Sequence, residues 1–79
     1  CLAICREAIR RGGLYPTAAN SANEQANYLF RQGKIKFLEI GELVGEAMEA
    51  CENKEDFVLS DVLAADRMAR DYVMQHVGA

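Results

Sequence analysis

Asn20, Asn23 and Asn27 stand with Ser21 and Glu24 in one short stretch of this 79-residue chain. Asparagine is a poor helix former because its amide competes for backbone partners. Helical need alone does not place three of them together. Two readings of the amides are open. They form a cluster that grips a polar ligand, or Asn20 or Ser21 caps a helix while Asn23 and Asn27 tie down a neighbouring loop. One short helix encodes no cleft around them, which favours the structural reading.

The other reactive side chains assemble less. Glu42, Glu46, Glu49 and Glu52 form a row with the chemistry to hold a hard cation. Carboxylate-bridged metal bundles, however, point their acids inward and add Glu-x-x-His pairs. Here the row lies opposite an apolar stripe, and the single histidine is His76 near the end. The row reads as a solvated face, and His76 as a helix-terminal residue complementing the dipole. Cys1, Cys5 and Cys51 are odd in number and irregular in spacing, so they make no disulfide framework. Cys5 and Cys51 fall on apolar stripes as small hydrophobes, and Cys5 has no base partner in sequence. Such thiols suit a reducing compartment, most simply the cytoplasm. Gly12-Gly13 does not continue into a helix-opening Gly-x-x-Gly phosphate loop. Met48, Met68, Phe30, Phe37 and Tyr72 read as core or near-core. No catalytic, cofactor-binding or metal-binding residue is expected in this chain.

Four helices must carry these groups. The first has Leu2, Cys5, Ala8 and Ile9 inward and stops at Gly12-Gly13, with Arg10 and Arg11 at its negative end. It has no capping residue before its first apolar position, so the chain is expected to begin inside an element and to be a piece of a larger one. After the connector Leu14-Tyr15-Pro16-Thr17, Ser21 and Glu24 form a capping box. They open a second helix, Ser21 to Gln32, that buries Ala22, Ala26, Leu29 and Phe30. Gly33 ends it. Lys34-Ile35-Lys36-Phe37 is an extended link whose Ile35 and Phe37 plug into the core. The third helix runs from about Leu38 to Cys51 or Glu52. Its stripe is Ile40, Leu43, Val44, Ala47, Met48 and Cys51, the cleanest amphipathic pattern in the chain. Asn53-Lys54-Glu55-Asp56 is a polar turn, and Phe57 and Val58 return to the core. Ser60 caps the last helix with Asp61 in its first turn. That helix runs to about His76, with Val62, Ala65, Ala69, Tyr72, Val73 and Val77 inward. Asp66 and Arg70 are spaced for an i,i+4 pair, and Gly78 ends the pattern.

The fold class is therefore all-α: a compact four-helix bundle of short helices, of the left-handed superhelix type, with no sheet. A composition of 51% hydrophobic and 27% charged residues fits one small globular domain. The net charge of −3 argues against a nucleic-acid binder, which would show a basic face, and against an anionic membrane surface as partner. No apolar run approaches the roughly 20 residues that span a bilayer.

Read in order, the motifs resemble the C-terminal helical domain of 1-deoxy-D-xylulose 5-phosphate reductoisomerases. Cys1-Leu2 fit the family's Pro-Cys-Leu start, and Gly12-Gly13 and Pro16 follow at the family spacing. Asn20-Ser21-Ala22-Asn23-Glu24 matches Asn-Ala-Ala-Asn-Glu with Ser21 the single departure. Gly33, Ile35 and Phe37 match its Gly-x-Ile-x-Phe link. Asp61-Val62-Leu63, Asp66, Ala69 and Arg70 match its Asp-Val-Leu-x-x-Asp-x-x-Ala-Arg segment. Leu38 departs from a position that often holds a capping Thr, so the third helix start must be satisfied by backbone or water.

The resemblance implies that residues 1–79 are a structural domain of a homodimeric, cytoplasmic enzyme of non-mevalonate isoprenoid biosynthesis. That enzyme makes 2-C-methyl-D-erythritol 4-phosphate with NADPH and Mg²⁺ or Mn²⁺. The family's catalytic, NADPH-binding and metal-binding residues all lie upstream of this domain, so the chain is expected to be inactive alone and to bind no cofactor. Its partners are then the catalytic and NADPH-binding domains of the parent chain, with no nucleic acid or membrane. Its docking face is expected on the first helix and connector, at Leu2, Ile4, Leu14 and Tyr15, and self-association through that face is expected of the isolated chain. An independent helical protein–protein interaction module is the alternative reading.

Overall fold

The computed structural model describes residues 2–52, 54 and 56–76. They form four helices: α1 (Leu2–Arg11), α2 (Tyr15–Arg31), α3 (Phe37–Ala50) and α4 (Leu59–His76). The all-α expectation holds, with no strand among the described residues. The expectations placed on Cys1, Asn53, Glu55, Val77, Gly78 and the Leu2 side chain lie outside the described residues.

Helix α2 is the hub, packing against each of the other three helices. Its inner face is nearly all small: Ala18, Ala19, Ser21, Ala22 and Ala26, closed by Leu29. Small side chains let neighbouring backbones approach closely. Helix α3 contributes Ile40, Leu43, Val44, Ala47 and Met48, with Cys51 just beyond its end, as its periodicity predicts. Helix α4 contributes Ala65, Ala69 and Val73, with Val62 and Tyr72 half-buried. The pairings Ser21–Asp66, Glu24–Arg70 and Gln25–Met74 advance together along both chains, so α2 and α4 run parallel. The remaining core residues are Ala8, Leu14 and Ile35.

Several boundaries and faces differ from the sequence expectation. Helix α2 begins at Tyr15, not at Ser21. Gly12 and Gly13 take φ of +73° and +62°, which turns the chain directly into it. Pro16 sits in the first turn, where its missing N–H costs nothing. Ser21 is thus a buried mid-helix residue, and neither it nor Asn20 caps anything. The stop at Gly33 is as expected. The Lys34 N–H donates to the Leu29 carbonyl at 3.0 Å and the Gly33 N–H to Phe30 at 3.0 Å, a Schellman arrangement around the positive φ of Gly33.

Helix α3 starts at Phe37, one residue earlier than expected. Ile35 plugs the core, but Phe37 is 69% exposed, and Phe30 stands at the surface against it. With no capping side chain at Leu38, the Glu39 carboxylate accepts the Lys36 N–H at 2.9 Å while the Glu39 N–H donates to the Lys36 carbonyl. The backbone satisfaction expected there is joined by a carboxylate. Ser60 does not cap α4, which already begins at Leu59. Asp61 does, accepting the Val58 N–H at 3.1 Å. Phe57 and Val58 are exposed because the cap holds them outside the bundle. On α1, Ile9 is exposed and Cys5 only half-buried. Ala8 is buried as expected, and Ile4 rather than Ile9 packs against the core, because Ile4 fits over the Gly41 and Gly45 notch of α3. The expected docking face fails in its described parts: Leu14 is buried, and Ile4 and Tyr15 pack against the core.

The two glycine environments separate experimentally. A Cβ on Gly45 would meet Ile4 Cδ1 at 3.6 Å, an ordinary contact. Gly45→Ala is expected to stabilise the domain by about 0.5–1 kcal/mol in urea melts, through helix propensity. Gly33→Ala is expected to destabilise it by about 1–2 kcal/mol, because φ of +74° strains any L side chain. Equal melts for the two variants would contradict this placement.

Candidate functional site

The polar residues singled out by the sequence lie where α2 meets α4. The buried Ser21 hydroxyl donates to Asp66 Oδ1. Arg70 Nε donates to the same oxygen at 3.0 Å, and Arg70 Nη2 reaches Glu24 Oε2 at 2.8 Å. Asn20 Nδ2 sits 3.4 Å from the other Glu24 oxygen. One chain of groups, Asn20–Glu24–Arg70–Asp66–Ser21, therefore clasps the two helices, and the expected Asp66–Arg70 pair is part of it. The Ser21 hydrogen bond, followed by that from Arg70, holds the Asp66 carboxyl below the usual carboxylate range. Hydrogen bonds donated to Glu24 and Asp66 push the pKa of the Arg70 guanidinium upward.

Asn27 does not tie down a loop. Its Nδ2 donates to the Asn23 carbonyl at 2.8 Å and to Asn23 Oδ1 at 3.0 Å, one turn back on α2. The two amides, with Gln25, Tyr28, Arg31 and Arg70, border a shallow polar hollow on this face. The clasp is poorly suited to acid–base chemistry, since Asp66 is already ionised and paired and cannot deliver a proton near neutral pH.

The glutamates of α3 are exposed, as expected of a solvated row. Glu49 pairs with Arg11, and Glu46 accepts from the Tyr72 hydroxyl at 3.3 Å and lies 3.7 Å from His76 Nε2. His76 also stacks on Tyr72, with centroids 5.6 Å apart. Burial, then the Glu46 charge, pushes the Tyr72 hydroxyl up. Among the described residues no three His, Cys, Asp or Glu side chains converge as a metal site would need. On α1, hydrogen bonds from Arg10 and Arg11 hold the Glu7 carboxyl down at about 2. Burial pushes the Cys51 thiol up, which disfavours the reactive thiolate.

Sequence reasoning missed the Ser21–Asp66 link. Its signal was one hydroxyl set in a stripe of alanines, facing an i,i+4 acid–base pair elsewhere in the chain. Ser21→Ala tests the link. A hydrogen bond of this kind is worth about 1 kcal/mol once solvent exposure of the carboxylate is allowed for. The folded-state pKa of Asp66 is depressed, so the stabilisation is present above its unfolded pKa of about 3.9 and is lost as pH falls through the folded value. The difference between wild type and Ser21→Ala in urea melts should be largest near neutrality and shrink in acid below about pH 4. An equal difference at both pH values would show that the hydroxyl does not engage the carboxylate.

Comparison with known proteins adds to this geometry. The profile of a family described as DXP reductoisomerase C-terminal domain matches residues 1–72. The chain is similar to the 1-deoxy-D-xylulose 5-phosphate reductoisomerase of Chloroherpeton thalassium, 42% identical over 79 residues, which are 100% of this chain and 20% of that protein. It is 47% identical over 72 residues to the protein of the same name from Exiguobacterium sibiricum, covering 91% of this chain and 19% of the relative. It is 43% identical over 70 residues to that of Gloeobacter violaceus, covering 89% and 18%. The chain spans about a fifth of the length of these curated relatives. No solved structure matches it.

Proposed function

Because this chain belongs to the family of DXP reductoisomerase C-terminal domains, we propose that residues 1–79 are the C-terminal helical domain of a 1-deoxy-D-xylulose 5-phosphate reductoisomerase. In this reading the whole enzyme rearranges and reduces 1-deoxy-D-xylulose 5-phosphate to 2-C-methyl-D-erythritol 4-phosphate, a step of non-mevalonate isoprenoid biosynthesis. NADPH supplies the hydride, a divalent cation assists, and the enzyme works as a cytoplasmic homodimer. No helix among the described residues is long and apolar enough to cross a membrane.

The observation that carries the reading is similarity along the whole chain, 42% identity over all 79 residues, to a protein of that name. The geometry supports a bracing role. The Ser21–Asp66–Arg70–Glu24 chain and the Arg11–Glu49 pair fasten helices to each other. The described residues do not fit NADPH or a metal ion: no acidic set converges, and no strand leads into a glycine-rich helix start. Those groups are assigned to the remaining polypeptide, and no step of the reaction is routed through this domain.

Calorimetric titration of residues 1–79 with NADPH and Mg²⁺ is expected to show no binding, whereas the full-length polypeptide is expected to oxidise NADPH only when given 1-deoxy-D-xylulose 5-phosphate. Micromolar binding by the domain, or no turnover by the full-length chain, overturns the reading.

A further inference from the structure

The large hydrophobic side chains left exposed fall mainly in two stretches, Phe57, Val58, Leu59 and Leu63 in one and Tyr28, Phe30, Phe37 and Leu38 in the other, and the second lies among unpaired positive charges. Residues 25–38 contain three cations, Arg31, Lys34 and Lys36, and no acid, although the whole chain carries a net charge of −3. The same fourteen residues hold Tyr28, Phe30, Phe37 and Leu38, four of the large hydrophobic side chains left at the surface. Phe37 and Leu38 are 69% and 82% exposed. They belong to the first turn of α3, directly after the Gly33 turn that ends α2, so the apolar and cationic groups share one corner of the bundle. Phe30 and Phe37 meet edge to face with centroids 5.7 Å apart, which fixes both rings while leaving them open to solvent. Arg31, Lys34 and Lys36 are all exposed, and none forms an ion pair with a described residue. Elsewhere Arg10 and Arg11 pair with Glu7, Arg70 with Glu24 and Asp66, and Lys54 with Asp61, while Arg6 and Arg67 stand singly on α1 and α4 without an ion pair to a described residue.

Pre-ordered aromatic anchors beside unpaired cations are the features of a protein–protein contact with an acidic, apolar-bearing counterpart. We propose that this corner is the docking surface of the domain, and that its occupant is an acidic surface with an apolar centre on the remaining four-fifths of the domain's own polypeptide. The proposal rests on the reading of the chain as one domain of a longer enzyme. Charge complementarity selects the occupant's sign. The length of the relatives, about five times this chain, supplies polypeptide to provide it. The competing occupant is a second copy, which would have to offer its exposed glutamate row on α3 to the cationic corner. That contact closes into a dimer only when corner and row meet reciprocally across a two-fold axis, and the cross-linking below separates it from the intramolecular contact. An anionic lipid surface is the third, and the acidic remainder of the chain opposes it.

Hydroxyl-radical footprinting and carbodiimide cross-linking of the full-length polypeptide test this, with residues 1–79 footprinted alongside. Phe37 and Leu38 are expected to lose labelling in the full-length chain relative to residues 1–79. Lys34 or Lys36 should cross-link to Asp or Glu outside residues 1–79 of the same molecule, shown with mixed isotope-labelled copies. Lys34→Glu combined with Lys36→Glu should abolish those cross-links and restore labelling of Phe37. Unchanged labelling of Phe37 and Leu38 in the wild-type chain overturns the proposal without any variant. So do cross-links only to Glu42, Glu46 or Glu49 of another copy, or protection that appears only with phosphatidylserine vesicles. NADPH turnover in the same preparation keeps the two readings apart: protection without turnover sinks the enzymatic assignment alone, and turnover without protection sinks the docking surface alone.

Discussion

Close approach of three helices to the alanine face of α2 is the constraint on which the rest of the structure depends. Ala18, Ala19, Ala22 and Ala26 are buried, and each removes little area from water. What they supply is proximity. The larger side chains of the neighbours, Leu43 and Val44 of α3 and Val73 of α4, can then fill the space around α2 without voids. A domain of this size buries only about 60% of its unfolded surface, so tight packing must compensate for a small core. The same tightness makes the α2 face intolerant of added volume.

Ser21 is the one break in that apolar face, and it serves orientation. A stripe of alanines offers little to distinguish one register of α4 from the next, since methyl groups slide past one another at little cost. The hydroxyl of Ser21 and the carboxylate of Asp66 meet in one register only, and Arg70 extends the selection to Glu24. Gln25, whose Nε2 lies 3.0 Å from Met74 Sδ, continues it one turn further. Ser21 and Glu24, two of the polar groups that first suggested a ligand site, thus hold α4 in place beside its parallel neighbour.

Much of the fold was legible in the sequence where binary pattern was strong. Ile40, Leu43, Val44, Ala47, Met48 and Cys51 are all buried, because an apolar stripe repeating at three and four has one way to satisfy itself. The stops at Gly12-Gly13 and Gly33 were legible because positive φ is a backbone demand that glycine announces. Helix starts were not. Asp61 and Glu39 cap from inside the first turn, and Pro16 starts α2 with no side-chain cap, so the residues that resembled caps, Ser21 and Ser60, misled. Phe30 was assigned inward from the helical stripe, Phe37 from the alternating link, and Phe57 and Val58 from hydrophobicity, which is a one-way rule that does not say which apolar residues a small core has room for. The contacts shown by the amides at 20, 23 and 27 include Glu24 and the neighbouring turn of α2, where the expected tie from Asn27 to a loop does not form, contacts that composition could not specify.

The parallel pairing of α2 and α4 also sets an order of assembly. Helices α2 and α3 are joined by a short link and can pair as soon as both are formed, with little chain entropy lost. Ser21 and Asp66 are separated by 45 residues, and the loop between them must close before their hydrogen bond returns anything. The α2–α3 hairpin is therefore the natural nucleus, and α4 docks onto it late. Substitutions at the clasp would then act mainly on the unfolding rate, because the contact they remove is absent from the transition state. The Ser21–Asp66 clasp is in that sense a latch: it does little to help the domain reach its fold and much to decide how long it stays there.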